Sequence, residues 1–387
     1  MPKFFIVNIF LFLFLSCGNF TPVGSKVNYQ KENLHENKPE VKKQQSAIAE
    51  KLDSLFSNLN KKGAFNGSIL VAKAGTILYK KTMGFCDKTN NCQLNDSSMF
   101  QLASVSKVIT ATAVMLLIEK GLIKLDDTFA SYFPEFPYDK ITVKHLLSHR
   151  SGLPNYLYFL NDIVTRQDRI LTNREVLQLM VEKKPGLYLQ PNRAFNYCNT
   201  NYALLALLVE KVSNKTFSNF LREEIFLPLG MRHSGTILSL DVFEKSISKP
   251  YDNRWKIIEP EAADYVVGDK SIYSTPYDMF LFSEALYQGK LLNPETQALA
   301  YTALSREKKL SNYGLGWRMK DFKDDSKKEV FHNGWWHGYR TAFHRRLSDK
   351  ITIVVLSNQL NRSAYQTYKI YQAIDADTSF GGGSDLE

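Results

Sequence analysis

Two side chains three residues apart, Ser104 and Lys107 in "SVSK", are the first candidates for chemistry. They head "FQLASVSKVITATAVMLLIEKGL" (100–122), which is almost wholly apolar from Val108 onward and reads as a buried helix. Residues i and i+3 share a helix face, so the hydroxyl and the amine meet if a helix starts near Ala103. A serine is a poor nucleophile until a neighbour takes its proton. A lysine serves as that base only while neutral, and both desolvation and a positive helix N-terminus favour its neutral form. The same N-terminus aims backbone N–H groups at the place where an oxyanion would form. A lysine at the mouth of a core helix is otherwise costly, so the pair predicts nucleophilic catalysis.

The spacing alone is not specific. Ser246–Lys249 and Ser305–Lys308 repeat it, but the first runs into Pro250 and the second lies in the charged run "SREKKL". Neither opens an apolar helix. Ser106 adjoins Lys107, and adjacent residues diverge on a helix. Two further patterns follow Ser104 in order. "FNYCNTNYALL" holds Tyr197-Cys198-Asn199 just ahead of a helical run, and "VFHNGWWHGYRT" holds His332-Asn333-Gly334 on a strand-like stretch followed by Trp335 and Trp336. Decoys exist here too, Tyr251-Asp-Asn253 and His233-Ser-Gly235, in the wrong contexts.

Taken in this order, the three motifs resemble those of the serine β-lactamase-related and penicillin-binding superfamily. The nearest branch is that of class C β-lactamases, D-alanyl-D-alanine carboxypeptidases, D-aminopeptidases and esterases. Supporting segments are "LLSHRSGLP", "PLGMRHSGT" and "KSIYSTPYDM", and the likeness runs from about Leu52 to Ala376. It implies that Ser104 attacks a carbonyl to give an acyl-enzyme while Lys107 and Tyr197 share the proton; which of the two is the base stays open. It implies that Asn199 holds Lys107 and a substrate amide, and that His332 shuttles a proton or polarises the site. Gly334 would let substrate lie close to the strand, with Asn333, Trp335 and Trp336 as further substrate-binding candidates. The Ser104 and Trp335 N–H groups would form the oxyanion hole. His332 replaces the lysine of true β-lactamases, and Asn333 replaces a hydroxyl residue that binds substrate carboxylate. Both departures favour a D-amino-acid peptide or a small ester over a β-lactam. An acylatable sensor without turnover is the alternative reading, and an idle scaffold a third.

The elements that must hold these residues can be read around them. "NGSILVAKAGTILYKKTMGF" (66–85) is a hairpin around Ala74-Gly75, preceded by the helical "SAIAEKLDSLFSNL". The middle of the chain is helical and loop-rich. Past Gly268 the pattern alternates again in "YGLGWRMK", "EVFHNGWWHGYRTAFHRRL" and "KITIVVLSNQ", and "SAYQTYKIYQAIDA" closes as a helix. Strands at both ends with helices between predict a mixed α/β (α+β) fold. Its antiparallel sheet is built from both chain ends and flanked by helices, and a helical lobe is inserted at about 101–265.

The 387 residues divide further by composition. Lys3, an apolar run and a small residue before Cys17 read as a signal peptide (1–17) with a lipoprotein-like processing site. Residues 18–45 are polar and predict a tether, 46–377 the hydrolase domain, and 378–387 a flexible tail. This predicts an exported protein of the bacterial periplasm or cell envelope, held to the membrane by a lipid on Cys17. The net charge of +10 is scattered and no basic stripe or nucleic-acid motif is present, so a nucleic-acid partner is not expected, nor is a partner protein implied. Cys86 and Cys92 flank "DKTNN"; a bridge and two free thiols both fit that spacing in an oxidising compartment. Cys198 reads as a packing residue. His145 and His149 have an i, i+4 metal spacing but lack an acidic third ligand nearby. No metal and no cofactor are expected.

Overall fold

A computed structural model describes residues 39–159, 170–308, 311–320 and 327–375. The expected leader, Cys17, most of the tether and the tail at 378–387 lie outside the described residues. The chain divides into two compact units, Met1–Lys42 and Lys43–Glu387, and the second carries all that follows except the first residues of the first helix.

Helix α1 (Pro39–Lys61) starts within the expected tether. Proline is favoured at a first helical position, and apart from Val41 the "EVKKQQ" that follows is made of good helix formers. Its apolar residues Leu52 and Phe56 are buried against the sheet.

The thirteen strands of the described residues form three sheets. The main sheet contains β1 (Gly67–Lys73), β2 (Thr76–Met83), β8 (Ser305–Lys308), β9 (Ser311–Tyr313), β10 (Arg318–Lys320), β11 (Glu329–Trp336), β12 (Tyr339–Arg346) and β13 (Ile351–Ser357). Their order is β2-β1-β13-β12-β11-β10-β9-β8, antiparallel throughout. The sheet therefore joins the two ends of the chain, as the strand pattern predicts. Ala74 and Gly75 both take positive φ (47° and 79°), the conformation a two-residue hairpin loop demands.

Side chains along β1 and β13 alternate between two cores. Ile69, Val71, Ile353 and Val355 pack under α1 and the closing helix (Thr367–Ile374), while Val354 and Leu356 face the helical lobe. Each fully buried aliphatic contributes about 1.5–3 kcal/mol. A two-stranded sheet, β3 (Phe85–Asp87) with β4 (Cys92–Gln93), carries a Cys86–Cys92 disulfide, one of the two alternatives open from the sequence.

The third sheet places the nucleophile. It consists of β5 (Phe100–Gln101), β6 (Gly235–Thr236) and β7 (Ile272–Ser274), and it leads into a short 3-10 turn (Ala103–Val105) and then α2 (Ser106–Glu119). The pairing through β6 lies in the stretch expected to be helical and loop-rich. A two-residue strand has too little alternation to be legible. α2 is buried on nearly every side. Its Thr110 hydroxyl donates to the Gly268 carbonyl (2.7 Å), so the polar groups it carries inside are satisfied.

Candidate active site

Ser104 sits half-buried on the turn ahead of α2. Ala103 before it has φ +49°, a left-handed conformation that costs an L-residue about 1–2 kcal/mol. Fixed contacts on both sides hold the turn in place. Leu102 N–H donates to the Ile272 carbonyl of β7 (2.8 Å), and its carbonyl accepts from Thr341 Oγ1 of β12 (2.7 Å).

Gly334 of β11 presses on the same turn. A Cβ there would lie 2.2 Å from Thr341 Oγ1, 2.5 Å from the Leu102 carbonyl oxygen and 3.0 Å from the Ser104 nitrogen. Only a bare backbone fits, so the glycine lets the strand reach the nucleophile turn as well as any substrate. It also brings β11 beside the Ser104 amide, the arrangement that an oxyanion pocket from the Ser104 and Trp335 N–H groups requires.

Lys107 Nζ lies 3.2 Å from Ser104 Oγ. It also meets Asn199 Oδ1 at 2.8 Å and the Asp269 carbonyl oxygen at 2.7 Å. The lysine is fully buried, and that desolvation brings its pKa down to about 8 despite the opposing charge of Asp269. About one molecule in ten is then neutral at pH 7. With two N–H groups donated to Asn199 and Asp269, the neutral amine turns its lone pair toward Ser104.

Asn199 is the first residue of α3 (Asn199–Ser213), and Tyr197 precedes it on extended backbone at Cys198. Two cations lie close to the Tyr197 ring, Lys107 Nζ 5.0 Å and the Arg318 guanidinium 5.4 Å from its centroid. Ser104, Lys107, Tyr197 and Asn199 thus come together as the sequence predicts. Cys198 is buried, and burial pushes its thiol pKa up, which fits a packing residue.

His332 is fully buried, and burial, with Arg318 and Lys107 nearby, drives its pKa well below the ordinary value. The ring is neutral. Nδ1–H donates to the carbonyl of Asn333 (2.8 Å), and Nε2 accepts from the Tyr313 hydroxyl (3.3 Å). Both nitrogens are thus engaged within the protein, and the ring stands 6.2 Å, centroid to centroid, from that of Tyr197.

Strand alternation corrects two expectations. Residues 332, 334 and 336 face the nucleophile turn, so Asn333 and Trp335 point the other way. Asn333 Oδ1 meets His344 Nε2 (2.9 Å) on the far face, and Trp335 is exposed under Arg340. Neither side chain is placed to bind substrate at Ser104. Trp336 is on the near face; its Nε1 donates to Asp264 Oδ1, and Lys270 Nζ lies 4.5 Å from its ring.

The sequence reading missed four contributors. Arg318 supplies the buried cation that the third motif lacks; an arginine between Trp317 and Met319 on a strand was the available signal. Asp269 and Lys270 form a buried ion pair (3.1 Å), and both reach the Tyr156 hydroxyl. Consecutive charges in an otherwise apolar segment, "VVGDKSIY", were the hint. The competing motifs go elsewhere: Lys249 pairs with Asp87 at the surface, Ser305 Oγ donates to the Ser148 carbonyl, and Tyr251 OH accepts from Lys88 N–H. The short helix that carries His145 ends at Leu147, and His149 lies beyond it at φ +54°, so the i, i+4 spacing does not fall on one helix face.

A serine on a strained turn, a buried lysine of lowered pKa and a tyrosine against that lysine are brought together between an antiparallel sheet and helices. A family model described as "Beta-lactamase" matches residues 52–378. Penicillin-binding protein 4* of Bacillus subtilis is 32% identical over 332 residues, covering 81% of this chain and 73% of that protein. The chain belongs to the β-lactamase family, and at the level of that family it is a serine hydrolase. Among solved structures, a penicillin-binding protein from Bacillus halodurans (TM-score 0.71, 23% identity) covers 83% of this chain and 98% of its own. A D-amino acid amidase from Ochrobactrum anthropi (TM-score 0.72, 21% identity) covers 87% and 100%. At those identities they establish the shared fold.

Proposed function

We propose that this chain hydrolyses an amide or ester through an acyl-enzyme on Ser104, with a D-amino-acid peptide or small ester preferred over a β-lactam. The observation that carries it is the Lys107 amine, buried, brought to a pKa of about 8 and 3.2 Å from Ser104 Oγ. The substrate preference is supported by the third motif. Its histidine is neutral and its Asn333 side chain turns away, so that strand offers no lysine and no hydroxyl to a β-lactam carboxylate.

In this mechanism neutral Lys107, with Tyr197, takes the Ser104 proton as Oγ attacks the carbonyl carbon. The oxyanion settles against the Ser104 and Trp335 N–H groups. The proton then passes to the leaving amine or alcohol, and water attacks the acyl carbon to restore Ser104. The reaction is proposed to need no cofactor.

The N-terminal segment supports an exported protein of the bacterial cell envelope, anchored by a lipid on Cys17. No helix among the described residues is long and apolar enough to cross a membrane.

The test treats wild type and Ser104→Ala with a fluorophosphonate probe and weighs the intact protein. One adduct on wild type and none on the variant is expected; equal labelling would sink the nucleophile assignment. Turnover of a D-alanyl-D-alanine peptide, a p-nitrophenyl ester and a chromogenic cephalosporin then ranks the substrates. Stoichiometric acylation without any turnover would make the protein a sensor instead.

A further inference from the structure

Tyr197 is held by one residue on both of its sides. Asn196 N–H donates to the His149 carbonyl (2.8 Å), and Cys198 N–H donates to His149 Nδ1 (3.1 Å). The imidazole itself packs on the phenol, ring centroids 4.3 Å apart and planes tilted by 36°. We propose that His149 is a positioning residue that fixes the Tyr197 phenol for proton transfer between Ser104 and Lys107. This rests on the acyl-transfer reading of Ser104.

The histidine is built to hold one orientation. A backbone N–H can only donate, so Nδ1 is an acceptor and Nε2 carries the ring proton. Asn201 Nδ2 gives Nδ1 a second donor (3.1 Å), and Ser151 Oγ fixes that amide through its Oδ1 (2.6 Å). Nε2 has no hydrogen-bond partner among the described residues and is enclosed by Tyr197, Tyr202, Tyr313 and Phe195. Burial holds the ring neutral, so it does not compete with Lys107 as a base. His149 has φ +54°, which turns its carbonyl and its ring toward the same neighbouring segment. A left-handed non-glycine residue carries a conformational cost, and here the two anchored amides offset it.

The substitutions separate the acceptor from the ring. Asparagine tolerates the left-handed backbone and places Oδ1 where Nδ1 stood. Phenylalanine keeps a ring but offers no acceptor. Acylation rate and KM for a p-nitrophenyl ester are measured for wild type, His149→Phe and His149→Asn, each with Tyr197 and with Tyr197→Phe. His149→Phe is expected to slow acylation about 10- to 100-fold with KM little changed, since small misplacements of a catalytic group cost that much. His149→Asn should recover most of the rate. In the Tyr197→Phe background the same substitutions should cost less than about twofold, because a phenol that is absent cannot be misplaced.

Equal losses in both backgrounds would overturn the inference, as would a loss confined to KM or an asparagine variant no better than phenylalanine. If His149→Phe does not fold, His149→Asn is compared with His149→Gln, whose acceptor lies one bond too far for the Cys198 amide. Wild type acylated with additive losses overturns this inference alone. Wild type that is never acylated on Ser104 overturns the reaction assignment and this inference with it.

Discussion

Lys107 and Asn199 are bound to each other, Nζ to Oδ1 at 2.8 Å, and that contact decides which face of the amine meets Ser104. The Asp269 carbonyl takes a second N–H, leaving one direction, toward Ser104 Oγ at 3.2 Å. The pKa of about 8 lies below the usual lysine value because burial disfavours the ammonium. The neutral, proton-accepting form therefore grows as pH rises through 8. Acylation should climb roughly tenfold from pH 7 and level off by about pH 9. Lys107→Met should remove that limb and slow acylation by about 100-fold or more, within the usual range for loss of a general base. Normal rates in the variant, followed by intact mass, would take the lysine out of the mechanism.

Asp269 opposes the desolvation of Lys107 with its negative charge, the largest influence raising that pKa. Asp269→Asn should then move the acylation limb to lower pH. The backbone carbonyl that orients the amine would remain. The same change leaves Lys270 buried beside Tyr156 without its counter-ion, and breaking a buried pair from one side costs about 3–5 kcal/mol. Denaturant unfolding should show that loss alongside the shifted pH–rate profile. A limb that stays in place would mean that the Asp269 charge does not reach Lys107.

Much of this was legible because it rests on local pattern. The apolar run after Lys107 could only be a core helix, and Ala74-Gly75 between β-rich runs could only be a tight turn. The order of the three motifs then singled out Ser104 from Ser246 and Ser305. What escaped was set by tertiary contact. His332 carries no mark in the sequence showing that Tyr313 and the Asn333 carbonyl would occupy both its nitrogens. Asn333 next to it looked like a ligand until strand parity turned it toward His344. Arg318 and Asp269 became site residues only when β10 and the segment before β7 folded onto Tyr197 and Lys107. Charged residues in apolar surroundings, Arg318 between Trp317 and Met319 and Asp269 beside Lys270, are costly unless partnered and were the clue to both.

Ser271 is a residue whose replacement should improve the fold. It is buried, its φ is +67°, and its hydroxyl has no hydrogen-bond partner among the described residues. Glycine would remove both penalties, about 1–2 kcal/mol for the left-handed backbone and a similar amount for the buried hydroxyl. Greater freedom of the unfolded chain would offset about 0.4–1 kcal/mol of that gain. Ser271→Gly should therefore stabilise the protein by about 1 kcal/mol or more in denaturant titration. A less stable variant would show that Ser271 Oγ makes a compensating contact in solution.

Gly334 brings the backbone of β11 against the nucleophile turn. Alanine there would put its methyl 2.2 Å from Thr341 Oγ1, which can rotate away, but also 2.5 Å from the Leu102 carbonyl oxygen, which is backbone and cannot. The strand must retreat from the turn, and overpacking of this kind costs about 1–3 kcal/mol. Retreat also draws the Trp335 amide away from the Ser104 amide, so the oxyanion would lose one of its two donors. Removing one such donor costs about 100- to 1,000-fold in kcat. Gly334→Ala should thus lower acylation far more than it lowers stability, while Asn333→Ala, whose side chain lies on the opposite face, should leave acylation within about threefold. Comparable acylation losses in the two variants, measured beside their unfolding midpoints, would mean that the strand as a whole, rather than the Gly334 contact, holds the oxyanion site.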